Sequence, residues 1–455
     1  GVTTADANGL NVAGVITATT LKGSGANLTG VLPTTSAVAS GTLANGQTVI
    51  IQSDGTVAGV ATVGIAQTVG LTTVFESGTT NYVSAVYDST NEKVVVVYED
   101  SDHSGRGKAV VGTVTGTGIT FSSPVNFDTG ETRNIIATYD STNGKVVIAY
   151  TQDSNSDYGV AIVGTVSGTS ISFGTAAAFK TSAIYTKSIT FAGNGKVVIA
   201  YQDGSNSNYG TAVVGTVSGN SISFGSATVF ESGTTNYISA VYDSSNDKVV
   251  IAYGDADNSN YGTAVVGTVS GTSISFGSPV VFESANATDY VSATFDSTNN
   301  KVIIGYMDGG NSSYGTAIVG TVSGTSISFG TAAVFESAAT RWISPTHDSS
   351  TNKIVIAYRD SGNSNYGTAV VGTVSGTSIS FGTPFVFNSD GTTTYVSATY
   401  DSTNEKVVIA YKDSTNSGVG ESLVFRNASV STNLTSTNFL GFSNAAYSDG
   451  DTATI

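Results

Sequence analysis

The chain has no cysteine, one methionine, one tryptophan, two histidines and five prolines in 455 residues. Without cysteine there is no disulfide framework, no thiolate metal site and no Cys–His nucleophile pair. The two histidines, His103 and His347, fall in different sequence contexts, so a Ser–His–Asp arrangement has no support either. Cations are scarce as well: 17 Lys plus Arg face 33 Asp plus Glu, a formal charge of −16. That balance excludes binding along a nucleic-acid backbone, which requires clustered cations. No apolar run approaches the ~20 residues of a membrane-spanning helix, and no secretory leader is legible. Helix formers such as Leu, Lys and Arg are few, and no stripe of period 3.6 runs along the chain.

What is abundant is Gly, Ser, Thr and Val, in a segment that repeats. Phe75, Phe127, Phe179, Phe230, Phe282, Phe335 and Phe387 mark equivalent positions spaced 51 to 53 residues apart. Self-similarity at a fixed period is the mark of a repeat architecture. Residues 335–387 show the unit. A first strand around Trp342–Ser344 ends in the turn Asp348–Lys353, and a second, Lys353–Tyr358, runs into the loop Asp360–Gly367. A third strand, Thr368–Val374, turns at Ser375–Ser378 into a fourth, Ile379–Phe381. Four short antiparallel strands separated by Asp/Asn/Gly/Ser turns make one blade, so the expected fold is all-β, a seven-bladed β-propeller. A parallel β-helix is disfavoured because the pattern leaves an orphan strand at one end. Residues 67–75 align with 379–387, Gly70 with Gly382, and are expected to supply the outer strand of the last blade; residues 430–439 are the alternative.

The expected organisation is a fibre-like segment over 1–35, a small β module over 36–66, the propeller over 67–430 and the start of a C-terminal β module over 431–455. The chain begins at Gly1 rather than Met and stops at Ile455 within a strand-like pattern, which suggests processing or a partial chain.

Function on such a scaffold belongs to its longer loops. One face carries tight turns of the DSTNxK and SGTS types. The other carries FESGTTNY and DSGNSNYG, with two aromatic sets. The first set, at the start of strand one, is Tyr82, Tyr237, Tyr290, Trp342 and Tyr395, with Asn134 and Thr186 in the remaining repeats. The second, in the loop before strand three, is Tyr158, Tyr209, Tyr261, Tyr314 and Tyr366, replaced by Arg106 and Val419. Acids recur beside them: Glu76, Glu231, Glu283 and Glu336, and Asp100, Asp203, Asp255, Asp308, Asp360 and Asp413. Rings with nearby carboxylates and amides suit sugars, which stack their C–H faces and hydrogen-bond their hydroxyls. A structural role, an Asp capping a turn or a Tyr wedged between blades, yields the same recurrence. Calcium in the Asp-rich loops is a further reading, but DSGNSNYG lacks the EF-hand pattern and its bidentate Glu, so no metal or cofactor is expected.

Departures from the repeat carry separate information, because the scaffold does not require them. His103, Arg106 and Lys108, then Glu131 and Arg133, then Lys180, Tyr185 and Lys187 outline a cationic sector over repeats one to three. Arg341, Trp342 and His347 gather in repeat six. A carboxylate pair for glycoside hydrolysis is conceivable, yet no unique acid stands beside a unique base, and a non-enzymatic role is expected.

Residues 9–31, GLNVAGVITATTLKGSGANLTGV, alternate small apolar and Thr/Asn side chains and hold too few large ones for a core of their own. This stretch resembles segments common in tail-fibre and virion structural proteins of marine bacteriophages, including those of cyanobacteria. Residues 45–57 and 437–451 resemble small β modules of the same proteins. The resemblance covers about a quarter of the chain and brings no catalytic residue. It implies a virion appendage, a tail fibre or similar part of the extracellular particle. The N-terminal segment would join copies of the chain and other virion subunits, and the propeller would meet a host cell-surface glycan. A purely architectural virion protein and a secreted bacterial lectin or adhesin are the alternatives.

Overall fold

The computed structural model describes residues 2–6, 9–12, 36–284, 287–432, 434, 439–442, 446–448 and 451–454. Most of the fibre-like segment therefore lies outside the described residues. The chain divides into two compact units, one of residues 66–429 and one formed by residues 1–65 together with 430–455. Among the described residues there is no α-helix, and nearly all regular structure is antiparallel strand.

In the smaller unit the two ends of the chain pair with each other. Ser36–Val38 lies against Thr452–Thr454, and Thr48–Ile51 pairs with both Val57–Gly59 and Phe439–Phe442. Leu43, Val49 and Val57 are fully buried between them.

The larger unit is the repeat. In repeat four, Thr228–Asp243 pairs with Lys248–Asp255, which pairs with Tyr261–Ser270. The outer edge is then split. Ser273–Phe276 covers one half of Tyr261–Ser270 and Val280–Glu283 the other. The sequence reading placed the residues around the marker Phe in a loop, but they are strand. A Gly at the third strand makes room for that ring: a Cβ on Gly262 would stand 2.4 Å from Phe282. The apolar second strands are buried on both sides, as expected of strands packed between neighbouring sheets. Each core cluster joins two successive repeats, for example Val249 and Ile251 with Val198 and Val214. One cluster joins the first to the last, Val94 and Val96 packing with Val408, Ala410 and Val424.

The outer edge of the last sheet is supplied by the N-terminal side. Val419–Arg426 pairs with Thr68–Val69 and Thr73–Glu76. Residues 429–432 instead pair with Thr62–Ile65 in the smaller unit.

Candidate functional site

The first strands of the repeats are tied to one another by side-chain-to-backbone hydrogen bonds. The Ser239 hydroxyl accepts from the Ala293 backbone N–H at 3.0 Å, Ser188 from Ala240 at 2.9 Å, and Ser344 from Ala398 at 2.9 Å. Ser397 of the last repeat accepts from Ala85 of the first at 2.9 Å. The series is interrupted at repeat two, where Ile136 stands in the place of the Ser, and again at repeat six, where Pro345 stands in the place of Ala293 and has no N–H to give. Ser292 thereby loses the partner that its counterparts have.

Each first strand begins with a bulge, two residues opposing one on the second strand, as between Asn236 and Ser239. The first aromatic set sits on this bulge in the left-handed region: φ is 50° at Tyr82, 49° at Tyr237, 50° at Tyr290, 53° at Trp342 and 51° at Tyr395. Asn134 shares the conformation at 50°. Thr186, which is β-branched, has no positive φ, and its strand pairs in a different register. A bulky residue in the left-handed region costs about 1–2 kcal/mol, so five such residues are an arrangement that the surrounding structure must hold in place.

The bulge turns these rings toward one another. Centroids are 5.2 Å apart for Tyr237–Tyr290, 5.7 Å for Tyr290–Trp342, 4.4 Å for Trp342–Tyr395 and 5.2 Å for Tyr395–Tyr82. The five aromatics thus form one continuous arc. Beneath it lies an open cavity of about 210 Å³, lined by residues of repeats two to seven, among them Tyr237, Tyr290, Ser292, Trp342 and Val396. A second recess of the same size lies beside Asn134, Thr186 and Lys187. Burial pushes the Tyr395 hydroxyl up to about 12, so at physiological pH it offers an O–H donor beside its ring face.

The second aromatic set is not brought together. Tyr158, Tyr209, Tyr261, Tyr314 and Tyr366 are each half-buried at the start of a third strand, and none makes a ring contact with another. Each of these strands follows a left-handed pair such as Ser259 and Asn260, which accounts for the Ser/Asn content of the loop.

The recurrent acids also have work within the scaffold. One fully buried tyrosine per repeat stands near the end of the second strand, and Tyr98, Tyr253, Tyr306 and Tyr358 donate to Glu76, Glu231, Glu283 and Glu336 at 2.8 to 3.1 Å. The Asp set caps its own loops. The Asp308 carboxylate accepts from the Gly310 and Asn311 backbone N–H groups at 3.0 and 3.1 Å.

The cations divide into two kinds. Those of repeats one to three are mostly neutralised: Lys108 pairs with Asp100 and Glu76, Arg133 with Glu131 and Asp153, and Lys180 with Asp203. The expected cationic sector is therefore largely a set of ion pairs, because His103, Lys108, Arg133 and Lys180 each stand beside an acid. Arg106 and Lys187 are the exceptions: among the described residues neither forms an ion pair, and the Arg106 Nε is buried without a hydrogen-bond partner. Lys187 differs in kind. It is buried where the other repeats place Val or Ile, and its Nζ donates to Thr151 Oγ1 at 3.2 Å. In repeat six the expected trio separates. His347 is buried at the far end of the strand, 3.2 Å from Asp296, five residues from Trp342. The partner that Arg341 does have is one the sequence reading passed over: Arg359, directly opposite on the second strand. The signal was present. The residue between the buried Tyr and the loop Asp is Glu99, Gln202, Gly254, Met307, Arg359 and Lys412 in successive repeats that keep the Asp, a variability the scaffold permits.

No protein-family model matches the chain, and no curated protein matches it. Among solved structures it is similar to the BP39L lectin from Burkholderia pseudomallei, with a TM-score of 0.55 at 9% identity over 76% of this chain and 96% of that one. It is also similar to AofleA from Arthrobotrys oligospora, with a TM-score of 0.44 at 11% identity over 76% and 96%. At such identities the first likeness speaks for the fold alone, a β-propeller-like succession of antiparallel sheets.

Proposed function

We propose that this chain is a non-enzymatic carbohydrate-recognising protein built on a closed seven-bladed β-propeller, with its ligand at the aromatic arc. Seven repeats, an N-terminal strand completing the last sheet, and a core cluster joining first and last repeats support closure. The observation that carries the ligand reading is the arc itself: five rings in contact over an open cavity, each held in a backbone conformation that bulky residues avoid. Packing alone gives no reason for that cost, since Asn134 serves the same bulge without a ring. Sugar C–H faces stack on such rings, and tyrosine hydroxyls and Ser292 offer hydrogen bonds. A solved relative in fold is a lectin, which accords with this reading.

The resemblance of residues 9–31 to marine phage fibre segments supports placing the protein on a virion, with the propeller facing a host glycan and the N-terminal segment joining copies of the chain. Glycan-array and host-cell binding by the full chain, with Trp342→Ala and Tyr290→Ala beside it, tests the ligand reading. Binding lost in both variants is the expected result, and binding indifferent to both would move the site elsewhere. Mass spectrometry of purified particles tests the virion placement.

A further inference from the structure

The surroundings of the arc are not electrically even, for Arg341 acts on Tyr237 and Arg359 on Tyr290. Arg341 and Arg359 stand directly opposite each other on antiparallel strands, immediately before Trp342 and immediately after the buried Tyr358. Like charges in that relation are destabilising. Among the described residues neither forms an ion pair, although the cations of repeats one to three mostly do. The Arg359 Nε is buried without a hydrogen-bond partner. The acid facing Arg341 from repeat five is Asp289, whose carboxyl feels the charge of Arg341 without forming an ion pair with it. The Tyr290 hydroxyl and, across the next repeat, Lys412 complete the polar surroundings. Lys412 is 5.9 Å from the Tyr395 ring centroid and donates to Asn81 at 2.8 Å. In a protein of net charge −16, two arginines opposite each other with no ion pair to either are a costly arrangement unless something negative joins them.

Resting on the carbohydrate reading above, we infer that the sector of the arc at repeats five and six binds the oxyanion of an acidic saccharide, a carboxylate or sulfate held by Arg341 and Arg359 while its ring stacks on Trp342. Guanidinium groups suit a planar or tetrahedral oxyanion because their N–H donors are arranged as a fork. Ser292 lines the cavity together with Trp342. Pro345 removes the N–H that would otherwise occupy its hydroxyl, leaving it for a sugar hydroxyl. Burial, and then the charge of Arg341, pull the Arg359 guanidinium below its ordinary value, as expected of a cation awaiting a counter-charge.

The test is equilibrium binding of the full chain to oligogalacturonate and to a sulfated oligosaccharide, each against its neutral counterpart, methyl-esterified or unsulfated. Acidic ligands are expected to bind more tightly, and whichever of the two does so identifies the anion. Arg341→Gln and Arg359→Gln should each weaken that binding by about tenfold or more, and added salt should weaken it too. Lys353→Gln removes the same charge at the opposite end of the sheet and should leave affinity unchanged. Pro345→Ala returns an N–H to Ser292 and should weaken binding several-fold in a fully folded protein. Arg341 is exposed, so its variant folds even where Arg359→Gln does not. Equal affinity for acidic and neutral ligands, or binding lost in Trp342→Ala but untouched by Arg341→Gln, overturns the inference and leaves the carbohydrate reading standing. Absence of binding to every saccharide overturns both.

Discussion

A buried tyrosine hydroxyl needs a partner, and the repeats provide natural comparisons of what happens with and without one. In repeat six Tyr358 is fully buried and donates to Glu336 at 2.9 Å. In repeat three the acid is replaced by Lys180, which turns to Asp203, and the Tyr201 hydroxyl has no partner. Tyr358→Phe should therefore cost about 1–2 kcal/mol, read as a lower melting temperature, whereas Tyr201→Phe should cost nothing or stabilise. Equal losses in the two variants would show that the ring rather than the hydroxyl matters. Lys187 makes the complementary case. Burial drives its amine well below the ordinary lysine value, and it occupies a position filled by Val or Ile in six repeats. Lys187→Ile should stabilise the protein by about 1–3 kcal/mol near neutral pH. The sign with pH follows from linkage. A lysine with a depressed folded-state value binds its proton more readily when unfolded, so the wild-type chain gains stability as pH rises toward the unfolded value. The advantage of Lys187→Ile should shrink between pH 7 and pH 10, and an advantage constant with pH would place the effect in packing.

At the level of elements, the bulge at the start of the first strand separates stability from recognition. Asn tolerates the left-handed region better than an aromatic ring does, and Asn134 already occupies it in repeat two. Tyr237→Asn should keep the melting temperature within a few degrees of wild type while weakening saccharide binding. A severe loss of stability instead would mean that the Tyr237–Tyr290 contact holds the strands in register. The repeat, its four-strand pattern and the first aromatic set were legible in the sequence because period and alternation report strands directly. The split outer edge was not. Val280–Glu283 reads as a loop tip from spacing alone, and it becomes strand only because the third strand of its repeat is long enough to pair with two segments. The contacts of Arg341 with Arg359 were likewise hidden, since cross-strand register depends on where the bulge falls.

For the larger unit as a whole, the outer edge of the last sheet rests on residues 68–76. A chain of residues 66–429 should fold and melt cooperatively. One that begins at residue 77 leaves Val419–Arg426 with an unpaired apolar edge and should aggregate, as followed by light scattering on heating. The acid balance sets the pH response. Burial raises the carboxyls of Asp255, Asp308, Glu336 and Glu421, so the folded state takes up their protons before the unfolded chain does. Stability from these groups grows as pH falls through their raised values, and a net charge of −16 is relieved in the same direction. Asp348 acts oppositely: against the push of burial, hydrogen bonds from Ser350, Asn427 and Thr351 hold it low. The melting temperature at pH 5 should equal or exceed that at pH 7.5 and decline only below about pH 4. A steady fall from pH 7 downward would contradict this.

The sequence by itself determined the repeat, the all-β class and the recurrence of rings at the start of strand one, and narrowed the strand that returns to the last sheet to two candidates. These follow from local pattern, because side-chain alternation and turn chemistry act over a few residues. Only the tertiary structure decided which recurrences meet. Left-handed bulges swing five rings into one arc, while the tyrosines before strand three stay apart. Acids brought close by the fold neutralise the cations of repeats one to three except Arg106 and Lys187, and leave Arg341 and Arg359 without an ion pair. The reason is physical: proximity between side chains some fifty residues apart is set by register and backbone handedness, which composition and spacing do not encode.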